Sequence, residues 1–550
     1  MMSQSAASAS LPDSRRSKAY LARLFSPRVL FGLGGLALLV LCLVPAPVSA
    51  QPQCGYATAV QFPVDPAVFF LAQDFGAASP RHQGRYHTGE DWSLPDGAAL
   101  GQIVLAPANG RVAFSSANAW GGDGGVIILE HTFPDGSVAY SMFGHLTEAG
   151  GITFPPALGC VRIGEPLATV ADVRPAPHVH FEIRTGDNLT PGAGYSWETP
   201  EALGLRRPTK FLTNQALQLS DAYRWRVDLA DEAGPFGAPV ALDDQSLIYL
   251  DGGRVNRITS DGRLLWRTPL ASPAVGLFPN AGGAWVVFAD GRWQALGRDG
   301  TLLEVVDTGL PLARTVLALP SRLIAQAADG RIAAYAPTGE RLWVTADGLP
   351  PVIAAAEEPA SGRLALIARD AQGMGHLLLL DLNGGVIERA ELAEPAPLAF
   401  DAAGMLWAYT QGGLWQVDAA GAWTLADPAA APGGRSAALA FLPGGEQARF
   451  DGEVLTLYAV DGSARWQTTP GPISGPNALQ SQGDKLLLVS ASGDLIVWRL
   501  SDGAECGRAR LWGGPSLSAW AQLGPDGLLR AYIADQIAGL NWAALTRDCG

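Results

Sequence analysis

At 550 residues the chain is too long for a single hydrophobic core, and an apolar content of 48% excludes a disordered protein. Its 66 glycines and 40 prolines favour short strands and tight turns over long helices. The formal charge is −14, and residues 1–50 hold five basic residues against Asp13, so the remainder carries −18; without a basic stripe, nucleic acid is excluded as a partner.

Residues 1–50 read as an export signal peptide. A basic segment from Arg15 to Arg28 precedes an apolar run from Val29 to Val44, and Val48 and Ala50 supply the small-x-small pattern that a signal peptidase accepts. The other reading is a retained membrane anchor. The apolar run of 16 residues falls short of a bilayer span of roughly 20. The expectation is therefore cleavage, a secreted protein of the cell envelope, and no stable membrane span afterwards. Cys54, Cys160, Cys506 and Cys549 remain in the mature chain, and four cysteines allow three pairings. Two fall in each half, so Cys54–Cys160 and Cys506–Cys549 are the expected bridges.

Residues 51–213 hold six of the seven histidines. In Tyr86-His87-Thr-Gly-Glu-Asp91-Trp, His87 and Asp91 are four apart, which places both on one face of an extended strand. In Pro177-His178-Val-His180-Phe-Glu-Ile-Arg184 two histidines share a strand face, and His145 lies between these motifs in Phe143-Gly-His145-Leu. Two imidazoles and a carboxylate suit Zn²⁺ with one position left open, the mark of a catalytic rather than a structural site.

His-x-Gly-x-Asp, Gly-His-Leu and His-x-His-Phe-Glu, in this order, resemble the LytM/lysostaphin-type zinc endopeptidases over roughly residues 60–213. The resemblance implies a compact antiparallel β peptidase domain acting on bacterial peptidoglycan. It implies His87, Asp91 and His180 as ligands of one zinc ion, and His145 and His178 as the catalytic histidines. One would be the general base and the other would stabilise the oxyanion; which does which stays open. Glu90 is expected to face solvent or stand behind the ligands. Glu182 shares the face of His180 and is a candidate to orient it. His82 is expected in a loop, and His131 as a structural residue.

From about residue 225 the sequence repeats. Glycine turns at Gly262, Gly300, Gly339, Gly384, Gly421, Gly462 and Gly503 are spaced by 38, 39, 45, 37, 41 and 41 residues, each between apolar strands. A period near 40 with this pattern marks a β-propeller. Of 16 tryptophans 13 lie here, and Trp266, Trp343 and Trp466 each follow a turn glycine by four positions, as blade-docking residues would. The repeats resemble the eight-bladed propellers of quinoprotein-like and outer-membrane assembly scaffolds. The expected architecture is all-β: signal peptide 1–50, peptidase domain 51–213, linker 214–224, and a propeller of seven or eight blades over 225–550.

Three functions follow as expectations. The chain is a zinc metalloendopeptidase hydrolysing peptidoglycan, with its propeller binding a protein or glycan ligand; it is a zinc endopeptidase acting on extracellular proteins; or it is a non-catalytic envelope scaffold.

Overall fold

The computed structural model describes residues 53–549, except 67, 187–188, 230–238, 281, 289, 308, 311, 319–321, 359, 429–436, 472, 474–478, 491–492, 512–518 and 534–535. The export signal, its apolar run and Cys42 lie outside the described residues. Among those described, no helix is long and apolar enough to cross a membrane.

The N-terminal domain is built on an antiparallel sheet. Its main path runs through strands Phe70–Gln73, Glu90–Ser93, His178–Arg184, Val138–Thr147, Gly125–Thr132, Gly110–Ser116 and Cys160–Val161. Period-2 alternation decides what each face does. In His178–Arg184, Val179, Phe181 and Ile183 enter the core beside Val104, Ile127, Leu129, Phe143 and Val170, whereas His178, His180, Glu182 and Arg184 take the other face. Burying three such side chains contributes on the order of 5–9 kcal/mol toward holding that register. A one-residue slip would put the histidines into the core.

The strands from Tyr223–Asp228 to Gln536–Asn541 form the propeller. Seven four-stranded antiparallel blades follow one another, and an eighth is composite: strand Tyr223–Asp228 pairs with Gln536–Asn541, which continues to Leu528–Ile533 and Ala519–Leu523. The ring thus closes by joining the two ends of the domain. Leu247, Tyr249 and Ile258 of the first blade pack with Trp225, Tyr532 and Ile537 of the eighth across that closure.

The tryptophans dock blades as expected. Trp266 Nε1 donates to the Arg298 carbonyl, Trp343 to Leu382 and Trp466 to Leu500, each in the next blade, at 2.6, 3.0 and 2.9 Å. Trp225 does the same to Ser260 at 2.7 Å. Each ring lies on the following turn glycine, where a Cβ would come within 2.5 to 2.8 Å of the indole. These glycines have φ between +72° and +85°, so both space and backbone demand glycine. The device is incomplete: Glu388 follows Gly384 at the same spacing and meets Gly421 in place of an indole.

Residues 214–224, expected as a linker, instead continue the helix Pro208–Gln218 and begin the strand Tyr223–Asp228. The reason is that the helix serves two cores. Leu212 is buried in that of the N-terminal domain and Leu217 in that of the last blades. Both expected disulfides are present, Cys54–Cys160 and Cys506–Cys549.

Candidate metal centre and cleft

Three neighbouring strands bring the site together by register. His180 stands directly opposite Asp91 on one side and Gly144 on the other. His87 arrives differently from the expectation of one continuous strand. It ends the strand Arg85–His87 of a separate three-stranded sheet, and the chain turns at Thr88-Gly89 before Glu90–Ser93 joins the large sheet. Gly89 permits this, because a Cβ there would overlap the Phe181 backbone.

The result is a buried His87–Asp91–His180 cluster arranged as a metal-binding set. His87 Nε2 lies 3.0 Å from His180 Nδ1 and 3.1 Å from Asp91 Oδ1, and His180 Nδ1 lies 2.9 Å from Asp91 Oδ1. Donors around a tetrahedral ion with bonds of roughly 2.0–2.1 Å stand about 3.3 Å apart, so the triangle has the size such an ion needs.

Both histidines of the cluster are held from behind. His87 Nδ1 donates to the Asp74 carbonyl at 3.1 Å. His180 Nε2 donates to Glu182 Oε1 at 3.0 Å, and Glu182 accepts further bonds from Thr88 Oγ1 at 2.6 Å and Arg184 Nε at 2.8 Å. Glu182 is therefore the orienting group that its shared face with His180 suggested. Burial would raise its pKa, but His180, Arg184 and Thr88 outweigh burial and hold it below the usual carboxylate range. Burial likewise opposes a charged His180, yet Asp91 and Glu182 raise its pKa to about 9. Two carboxylates flanking one ring make a field that favours a positive charge there.

His145 and His178 face each other beside the cluster, with ring centroids 4.5 Å apart. His178 Nε2 is 3.5 Å from Asp91 Oδ2, and its Nδ1 donates to the Ala176 carbonyl at 2.8 Å. His145 Nδ1 donates to the Asp123 carbonyl at 2.8 Å. Burial, followed by the neighbouring His178, lowers the His145 pKa to about 4, so at neutral pH its Nε2 is an acceptor. His145 also has φ of +61°, unusual for a residue with a side chain and a mark of a tightly specified position.

The cluster opens into a cleft of about 490 Å³ lined by residues the motifs did not reveal. Trp120 packs against His145 and His180, with centroids 4.9 and 5.7 Å away, and its Nε1 donates to the Gly192 carbonyl. Tyr195 is 5.2 Å from His87 and stacks at 3.6 Å on His82. His82 thus belongs to a short helical turn on the cleft wall, Pro80–His82. Glu90 departs from its expected place. It is buried away from the cluster and accepts bonds from Thr209 and Trp92, tying the site strand to the helix Pro208–Gln218. His131 is structural, bonded between the Asn109 carbonyl and Ser141.

An antiparallel sheet bearing a buried His–Asp–His set, ahead of an eight-bladed propeller, defines a peptidase-type domain joined to a repeat scaffold. Residues 85–191 match the family model of Peptidase family M23, which is LytM-type, and residues 215–401 match that of the outer membrane protein assembly factor BamB. No curated protein matches the chain. Similar solved structures include BamB from Moraxella catarrhalis, with 15% identity and a TM-score of 0.40 over 58% of this chain and 99% of that one. Sqt1 from Saccharomyces cerevisiae is similar at 10% identity and a TM-score of 0.47, over 58% and 98%.

Proposed function

We propose that the protein is a secreted zinc metalloendopeptidase of the bacterial envelope that hydrolyses peptide bonds in peptidoglycan, with the propeller binding or positioning a partner. The observation that carries this reading is the convergence of His87 Nε2, Asp91 Oδ1 and His180 Nδ1 within 3.1 Å of one another at the floor of an open cleft. Two imidazoles and one carboxylate are the donor set of a catalytic zinc site. A zinc ion held there supplies Lewis acidity and a water activated at neutral pH.

The chain's own residues do the rest. His145 is the general base: its Nδ1 is committed to Asp123, which leaves Nε2 to take a proton from the attacking water. His178, across from it, stabilises the charge that develops on the carbonyl oxygen. Trp120 and Tyr195 wall the cleft and confine the peptide. Two disulfides support an oxidising, extracytoplasmic location. The match to the assembly-factor family supports a protein-binding role for the propeller.

The test is zinc content together with wall-hydrolysing activity, for the mature protein and His180→Ala. Wild type is expected to bind about one zinc per chain and to release soluble muropeptides, and the variant to do neither. Stoichiometric zinc with intact walls would move the substrate to extracellular proteins. Absence of zinc binding would sink the enzymatic reading and leave the scaffold.

A further inference from the structure

We infer that the cleft recognises a free carboxylate on its peptide substrate, held by Arg81 and Arg174 next to the scissile bond. This rests on the peptidase reading above and names the substrate class within it.

Arg81 lies in the turn Pro80–His82, and Arg174 in the segment leading to His178, and both line the cleft. Arg81 Nη1 donates to the Arg174 carbonyl at 3.4 Å, so the two cation-bearing segments adjoin. Neither arginine has an ion-pair partner among the described residues. Arg111, Arg184 and Arg207 of the same domain are by contrast tied to Glu130, Glu182 and Asp74. Both side chains line one cleft without a carboxylate partner among the described residues, so an incoming anion gains charge-assisted contacts that neither arginine makes in its absence. Their planar forks match a carboxylate in two-point contact.

The rest of the cleft gives the charge a direction. Asp123 is the carboxylate that lines it besides the ligand Asp91, and it belongs to the segment carrying Trp120. His82 and Tyr195 share the arginines' wall. A peptide with a carboxylate beside its scissile bond is therefore drawn with that group toward the Tyr195 side. On a chain of net charge −14 such a substrate is repelled by most of the surface, whereas at the cleft Arg81 and Arg174 offset Asp91 and Asp123 and lower that barrier.

The experiment uses the zinc-loaded mature protein with His145→Ala, so that ligands bind without turnover. The probes are cross-linked muropeptides with free carboxylates and the same muropeptides after carbodiimide amidation, titrated calorimetrically. The free-carboxylate form is expected to bind about tenfold tighter or more, because charge-assisted hydrogen bonds are lost on amidation. Adding Arg81→Gln and Arg174→Gln should bring the ratio to about one, with zinc content unchanged as the folding control; Lys at both positions should restore part of it. Equal affinity of the parent for both forms, no binding of either, or a preference that survives the double substitution would each overturn the inference. Failure of the peptidase reading looks different: the tenfold preference would stand while unsubstituted protein cleaves neither form.

Discussion

Glu182 accepts the His180 Nε2 proton at 3.0 Å, and that bond turns the ring's other nitrogen to within 2.9 Å of Asp91 and 3.0 Å of His87. Glu182 is itself fixed by Thr88 and Arg184, so the direction of the His180 ring is set by a group that does not line the cleft. Glu182→Gln keeps the size of the side chain and removes its charge. Zinc affinity, measured by chelator competition, is expected to fall about 10- to 100-fold. An unchanged affinity would mean that packing alone orients His180.

Gly144 stands opposite His180, and a Cβ there would lie well inside contact distance of the Trp120 ring. Gly144→Ala must therefore push the indole off His145 and His180 and open the cleft wall. The expected outcome is an activity loss of about 100-fold, of the size that a 1 Å misplacement produces, with zinc content retained. A shift in tryptophan emission would report the displaced ring. Normal activity would show that Trp120 does not position the peptide.

Much of this architecture was legible because it is periodic or local. The alternation of Val179, Phe181 and Ile183 with His178, His180 and Glu182 identifies a strand with one chemical face, and glycine followed by tryptophan marks the docking of blades. What stayed hidden depends on distant partners. Glu90 read as facing solvent or standing behind the ligands, whereas Thr209, far along the chain, supplies its hydrogen bonds. The helix Pro208–Gln218 read as domain end and linker because Leu212 and Leu217 face separate cores, a distinction no local pattern contains. The choice between seven and eight blades turned on Tyr223–Asp228 finding Gln536–Asn541. Trp120, Arg81 and Arg174 belong to turns and loops, and Tyr195 to a two-residue strand, all too short for the sequence to carry a period that betrays them.

The two kinds of blade junction should differ in what they contribute. Trp225 is buried, donates to Ser260 and sits on Gly262 at the ring closure. Trp225→Ala is expected to cost about 3–5 kcal/mol, as large aromatic deletions from cores do. Glu388 occupies the equivalent spacing after Gly384 in place of an indole and has no ion pair among the described residues, so Glu388→Ala should cost less than about 0.5–1 kcal/mol. Urea midpoints of the propeller transition compare them directly. Equal losses would show that the indoles do not carry the docking.

His131 gives the N-terminal domain an acid sensitivity whose direction can be worked out. The ring is buried between the Asn109 carbonyl, to which Nδ1 donates, and Ser141, whose hydroxyl donates to Nε2. Burial, its largest influence, lowers the pKa from 6.5 to about 4 despite the opposing bond to Asn109 and the nearby Glu130. The unfolded chain therefore takes up a proton at a pH where the folded chain does not. The stabilisation is fully present above pH 6.5 and is lost as pH falls toward about 4, a difference of about 3 kcal/mol. His131→Gln retains a donor and an acceptor but cannot titrate. Hydrogen exchange of the strand Gly125–Thr132, followed from pH 7 to pH 4, should show wild type losing protection relative to the variant across that window. Parallel curves for the two proteins would mean that acid unfolding begins at another group.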